Sequence, residues 1–214
     1  MSTPRLVVVA ARAAFAGDAL WLDAIARVAD AVAHTTFRDV VVQVRLEDQA
    51  VATEERATAA LAKLRSAAPR VPVLLNAPWL DFTKLGFDGV HWREDAIPDL
   101  APEPAPPRAA ASVHSLAAIR RAERAGAQVV LFGPIWSPAW KPATPAGLDA
   151  LADIALAAHV PVLAIGGVTP PRVADCLAAG AHGVAVASGL LGAPEVDIAF
   201  AAYVAALRNP SECG

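Results

Sequence analysis

Apolar residues fall into short, unbroken, β-branched runs separated by longer alanine-rich stretches. The runs at 6–10 (LVVVA), 39–44 (DVVVQV), 71–76 (VPVLLN), 89–92, 109–114, 129–133, 162–166 and 184–187 predict eight strands. Between them, apolar positions recur every three to four residues, as along 18–33, where Leu20, Ala24, Val28 and Ala31 share one helical face. Further helices are expected at 53–67, with Thr53 as N-cap, and at 116–125, 148–158, 170–179 and 194–207, with a shorter segment at 79–85. Pro170 and Pro194 stand where first-turn prolines belong, because those N–H groups lack helical acceptors. The strands read as continuous apolar runs, so both faces of the sheet are expected to be covered. Eight strands, all but the fourth followed by a helical segment, predict an α/β chain folded as one (β/α)8 TIM barrel over 1–214, near the lower size limit of that fold. A doubly wound open sheet is the alternative, but it uses five or six strands. The proline-rich stretch 100–108 reads as a rigid surface loop, since the alternation resumes beyond it with no change of composition.

Composition narrows the function classes. With 56% hydrophobic residues, 18% charged residues and a net charge of −3, the chain is neither disordered nor a dedicated nucleic-acid binder. Its two cysteines, Cys176 and Cys213, exclude a disulfide-built scaffold, and Cys176 reads as an inert core thiol. No Cys/His spacing suggests zinc. No stretch longer than 18 residues is free of charge and proline, and the one that long, 176–193, is broken up by His182 and four glycines, so no membrane span is expected. The apolar N-terminal run is short, broken by Arg12 and not preceded by a positive region, which is unlike a signal peptide. A cytoplasmic protein is expected, and self-association into a homo-oligomer is open.

In a barrel, strand C-termini and the loops after them face the active site. The polar residues falling there are Gln43 and Arg45, Asn76, the segment 91–95, His114 and Ser115, Lys141, Gly166 and Gly167, and Ser188 and Gly189. The last two loops, AIGGVTP and VAVASGL, each place glycine between an apolar strand and a helix. Glycine lets backbone approach an anion and helix N-termini offer free N–H donors, so the pair forms a candidate phosphate site. Two tight strand-to-helix turns would need the same glycines.

The block from SVHS (112–115) through FGP (132–134), Lys141, GL (147–148), AIGGVTP (164–170) and AGAHGVAVASG (179–189) resembles the second half of the thiamine phosphate synthase/TenI family. It covers about half the chain, in order and at the right spacing. VQVRLED and VLLNAPWLDFTKLGFDGVHW resemble that family's first half more faintly. The resemblance implies a (β/α)8 barrel and one of two activities. The synthase joins a pyrimidine diphosphate to a thiazole phosphate with Mg²⁺. The TenI-type tautomerase moves a proton to aromatise a carboxylated thiazole phosphate without metal.

Departures from the pattern separate the two. The family's strand-three Asn-Asp reads Asn76–Ala77 here, so an Mg²⁺ carboxylate is absent. The lysine of its Gln-x-Arg-x-Lys segment is Glu47, and an aspartate column after strand four falls on Ala96, with Glu94 or Asp95 as substitutes one residue away or so. Mg²⁺ takes hard oxygen ligands, usually one or two carboxylates with substrate phosphates. A like charge ~4 Å from a polyanion, at an effective dielectric near 20, repels by about 4 kcal/mol per charge pair.

These departures favour a TenI-like tautomerase binding a phosphorylated thiazole, with His114 as acid/base, because an imidazole both takes and gives a proton near neutrality. Gln43, Arg45, Asn76, Ser115, Lys141, Gly166, Gly167, Ser188 and Gly189 are the expected substrate and phosphate contacts, and Trp136 and Trp140 candidate ring-stackers. No cofactor is expected in that reading. The alternatives are an Mg²⁺-dependent synthase, with Glu94 or Asp95 at the metal, and a catalytically degenerate barrel that binds a phosphorylated ligand. His114 as a mere strand-end histidine, Lys141 as a solvated lysine and the tryptophans as an apolar cap are the plainer readings. His91 reads as a packed strand residue, and His34, His159 and His182 receive no role.

Overall fold

The computed structural model describes residues 3–47, 53–137 and 144–209. Eight strands, β1 (Leu6–Ala11), β2 (Val40–Arg45), β3 (Val73–Asn76), β4 (Gly89–Trp92), β5 (Ala109–Val113), β6 (Val129–Phe132), β7 (Val162–Ile165) and β8 (Gly183–Val186), pair in parallel in sequence order. β8 pairs back onto β1, with Leu6 against Val184 and Val8 against Val186, so the barrel closes as the sequence predicts.

Strand alternation sorts the side chains. Leu6, Val8 and Ala10 share one apolar cluster with helix residues such as Trp21, Ala24 and Ile25. Val7, Val9 and Ala11 belong to a second cluster drawn from strands alone, with Val41, Leu74, Ala110, Leu131, Leu163 and Ala185. Successive side chains point to opposite faces, so the second cluster fills the barrel and the first joins it to its helices. The side chains of that interior cluster are all aliphatic.

The outer layer is α1 (Asp18–Ala33), α2 (Thr53–Ala67), α3 (Leu116–Arg124), α4 (Gly147–Ala157), α5 (Val173–Ala178), α6 (Ser188–Leu191) and α7 (Val196–Arg208). A helical segment was expected after every strand but β4, and the one after β3 does not form. The segment 79–85 folds as turns, with Leu80 N donating to Ala77 O and the Asp81 carboxylate accepting from the N–H groups of Thr83 and Lys84. Pro78 at its head and Asp81 within it favour local turn bonding over a continuous helix. After β4 there is only the 3-10 turn Glu94–Ala96. Thr53 opens α2 as its first residue, Pro170 starts a 3-10 turn leading into α5, and Pro194 lies outside α7, whose N-cap is Glu195. The stretch 100–108 carries no helix or strand and is mostly solvent-exposed, as a surface loop. No described helix is long and apolar enough to cross a membrane.

Candidate active site at the barrel mouth

The C-terminal end of the barrel interior turns polar. Gln43 and Arg45 follow Val41 at the two-residue period of β2, Asn76 follows Leu74 on β3, and Ser112 follows Ala110 on β5, so all continue the inward-facing rows. Gln43, Asn76 and His91 are 2%, 1% and 1% exposed. His91 Nε2 lies 2.8 Å from Ser112 Oγ across the β4–β5 pair. Burial, reinforced by the nearby Arg45 guanidinium, pushes the His91 pKa down to about 3, so the ring is neutral. Its Nδ1 and the Asn76 Oδ1 are buried without a protein hydrogen-bond partner. His91 is thus packed, as expected, but within a polar tier at the floor of the mouth.

His114 stands one residue beyond β5, and its side chain is 61% exposed. Glu94 Oε2 accepts the His114 backbone N–H at 2.6 Å and lies 2.6 Å from ring Nδ1. Arg121 of α3 donates to the Glu94 carbonyl. Ser115 N-caps α3 by accepting from Ala118 N at 3.2 Å, so its hydroxyl serves the helix start. Asp95 is drawn to Arg93, whose Nη2 donates at 2.8 Å.

Beyond β2, Glu47 Oε1 lies 3.2 Å from Arg45 Nε, close enough for an ion pair but not aligned as a hydrogen bond. Its other oxygen accepts from Ala13 N at 3.1 Å, tying the β1 loop to β2. Nearby, Asp18 pairs with Arg12 and, at 3.1 Å, with Arg56, and these two hold its carboxyl below the usual range. Ala77, after β3, is buried in the apolar cluster.

This donor set bears on magnesium. Position 77 offers a methyl group, Glu47 faces Arg45, Glu94 is engaged by His114 and Asp95 by Arg93. Among the described residues no three His, Cys, Asp or Glu side chains gather as a metal-holding group. One or two carboxylates can suffice for Mg²⁺ alongside substrate phosphates, so Glu94 and Asp95 are the described side chains that would hold it, each giving up its present partner.

The two glycine loops meet beside the β6 loop. Gly166 and Gly167 take φ of +94° and +65°, and a Cβ on Gly167 would lie 2.6 Å from Trp136 Cβ. Trp136 N donates to Gly166 O at 3.0 Å. Arg172 donates to Gly167 O at 2.7 Å, and its guanidinium sits 4.7 Å from the Trp136 ring centroid, so one face of that ring already stacks on a cation. Tyr203 of α7 reaches across to donate to Val168 O at 2.9 Å. Ser188 and Gly189 open α6 and are exposed, and Ser188 edges a cavity of about 60 Å³ with Val9, Ala11, Phe15 and Leu191. Trp140 and Lys141 lie outside the described residues.

Sequence reasoning gathered His114, Ser115, Arg45, Asn76 and both glycine loops at one end of the barrel. It did not foresee Glu94 as the partner of His114, Ser112 on His91, Arg172 against Gly167, or Tyr203 on Val168. The inward period of β5 carried a signal for Ser112 and His114; the cross-strand stagger that brings Glu94 to His114 left none.

A family model described as thiamine monophosphate synthase matches residues 16–190. The thiamine-phosphate synthase of Roseiflexus castenholzii is 35% identical over 177 residues, 78% of this chain and 76% of that protein. Its namesake in Roseiflexus sp. is 36% identical over 145 residues, 65% of this chain and 61% of that relative's length. Among solved structures, the thiamine phosphate pyrophosphorylase of Pyrococcus furiosus superposes with a TM-score of 0.72 over 96% of both chains at 21% identity, which is likeness of fold.

Proposed function

The chain belongs to the thiamine monophosphate synthase family, and from that premise we propose that it works on a phosphorylated thiazole at the barrel mouth. Gly166, Gly167, Ser188 and Gly189 would receive the phosphate, and the tier of Gln43, Arg45 and Asn76 would face the ring. Lys141 would add a cation from the neighbouring loop, and the setting would be the cytoplasm.

Two reactions compete for this site, and different observations favour each. The relatives' names, thiamine-phosphate synthase, support pyrimidine–thiazole coupling more than tautomerisation. Coupling in this family uses Mg²⁺ and a diphosphate, and to hold that metal Glu94 and Asp95 would have to give up His114 and Arg93.

The function the geometry supports best is proton transfer. The observation that carries it is an exposed imidazole, His114, backed by a carboxylate at 2.6 Å. His114 Nε2 takes a proton from one position of the bound ring system and returns it at another, so the thiazole becomes aromatic with no atoms gained or lost. General acid–base catalysis of this kind is worth about 10²–10⁴-fold.

Side-by-side assays decide between the readings. We expect tautomerisation of the carboxythiazole phosphate to proceed in the presence of a chelator, and His114→Ala to lose about 10²–10⁴-fold in kcat. Pyrophosphate release that depends on Mg²⁺ would establish coupling instead. Retained thiazole phosphate binding with neither turnover would make the barrel a binder.

A further inference from the structure

We propose that Glu94 is the positioning residue for His114, fixing both the orientation and the tautomer of its ring. This inference rests on the proton-transfer reading above. A single carboxylate oxygen, Oε2, meets the backbone N–H and the ring Nδ1 of His114, each at 2.6 Å. Two contacts from one atom to main chain and side chain of the same residue set the ring's attitude relative to its strand. Among the described residues, Glu94 is the only hydrogen-bonding partner of this ring, which is otherwise 61% exposed.

An ionised carboxylate only accepts, so Nδ1 must carry the proton, and in the neutral ring Nε2 keeps its lone pair free to accept one. Glu94 is itself held from two sides. It begins the 3-10 turn that follows β4, and its carbonyl accepts from Arg121 on α3. Because α3 is capped by Ser115, the residue after His114, the imidazole and its carboxylate are anchored to the same helix. Glu94 touches no reacting atom in this scheme and acts through His114.

The test is ¹⁵N NMR of histidine-labelled protein at a pH where the His114 ring is neutral, with Glu94→Gln and Glu94→Asp alongside wild type. We expect wild type to show the Nδ1–H tautomer, Glu94→Gln to shift toward a mixture with Nε2–H, and Glu94→Asp to keep more of the wild-type form. In the tautomerisation assay, Glu94→Gln should lower kcat by about tenfold or more, within the range of acid–base contributions, with KM within about threefold of wild type. A purely structural role would instead lower the melting temperature and leave the tautomer unchanged. An unchanged tautomer ratio in a folded Glu94→Gln protein, or in Glu94→Ala where Glu94→Gln fails to fold, overturns the proposal. The expected tautomer shift in a protein without tautomerase activity would leave Glu94 as the positioning residue and remove the proton-transfer reading.

Discussion

Burial strips His91 of its charge, and that has a thermodynamic signature. Its folded pKa is about 3, whereas an unfolded histidine titrates near 6.5. The unfolded chain therefore binds the proton first as pH falls. The contribution of His91 to stability is complete above about pH 6.5 and is lost progressively as pH drops toward 3, at up to ~1.4 kcal/mol per pH unit. Urea unfolding at pH 7, 6, 5 and 4 should show wild type losing stability faster than His91→Gln across this window. Carboxylates such as Asp18 add acid sensitivity to both proteins, so the difference isolates the imidazole, and equal slopes would refute the assignment. Residue identities at the mouth were legible in the sequence because they sit at strand ends. Their partners were not. Ser112 reaches His91, and Glu94 reaches His114, through the stagger of neighbouring strands, which no spacing along the chain encodes.

The elements were legible where period and length agreed. All eight strands lie within a residue or two of the apolar runs, and β3 starts at Val73 rather than 71 because Pro72 has no N–H to give the ladder, while its carbonyl accepts from Val42 N. The missing helix after β3 failed for a local reason, the competing turn bonds around Asp81. Contacts between elements that are remote in sequence were invisible, and Tyr203 is the clearest case. Its hydroxyl, buried and with its pKa pushed up to about 12, stays protonated and pins α7 to the Val168 carbonyl of the β7 loop. Tyr203→Phe leaves that carbonyl short of a donor in a buried site, at a cost of about 1–3 kcal/mol. The melting temperature should fall by roughly 2–12 °C for a chain of this size. Amide exchange in the loop after Gly167 should accelerate more than exchange in β1, and uniform acceleration would argue against a local clasp.

Closure makes the molecule one cooperative object, because a barrel has no free edge from which to fray. The seam between β8 and β1 is where the chain's two ends meet. At Gly183 the approach is close: an added Cβ would lie 2.1 Å from the Arg5 carbonyl, the same oxygen that accepts from Val184 N at 2.9 Å. Gly183→Ala must push the two backbones apart at the start of the ladder. Overpacking of this kind costs about 1–3 kcal/mol, a fall of roughly 2–12 °C in melting temperature. Gly183 lies at the N-terminal end of its strand, whereas His114, Asn76 and the glycine loops gather at the C-terminal end. In barrels the first face serves stability and the second chemistry. Well below its melting point, Gly183→Ala should therefore keep the kcat and KM of wild type while unfolding earlier. A variant with normal stability would show that the seam yields freely, and one with normal folding but damaged kcat would show that the two faces are mechanically coupled.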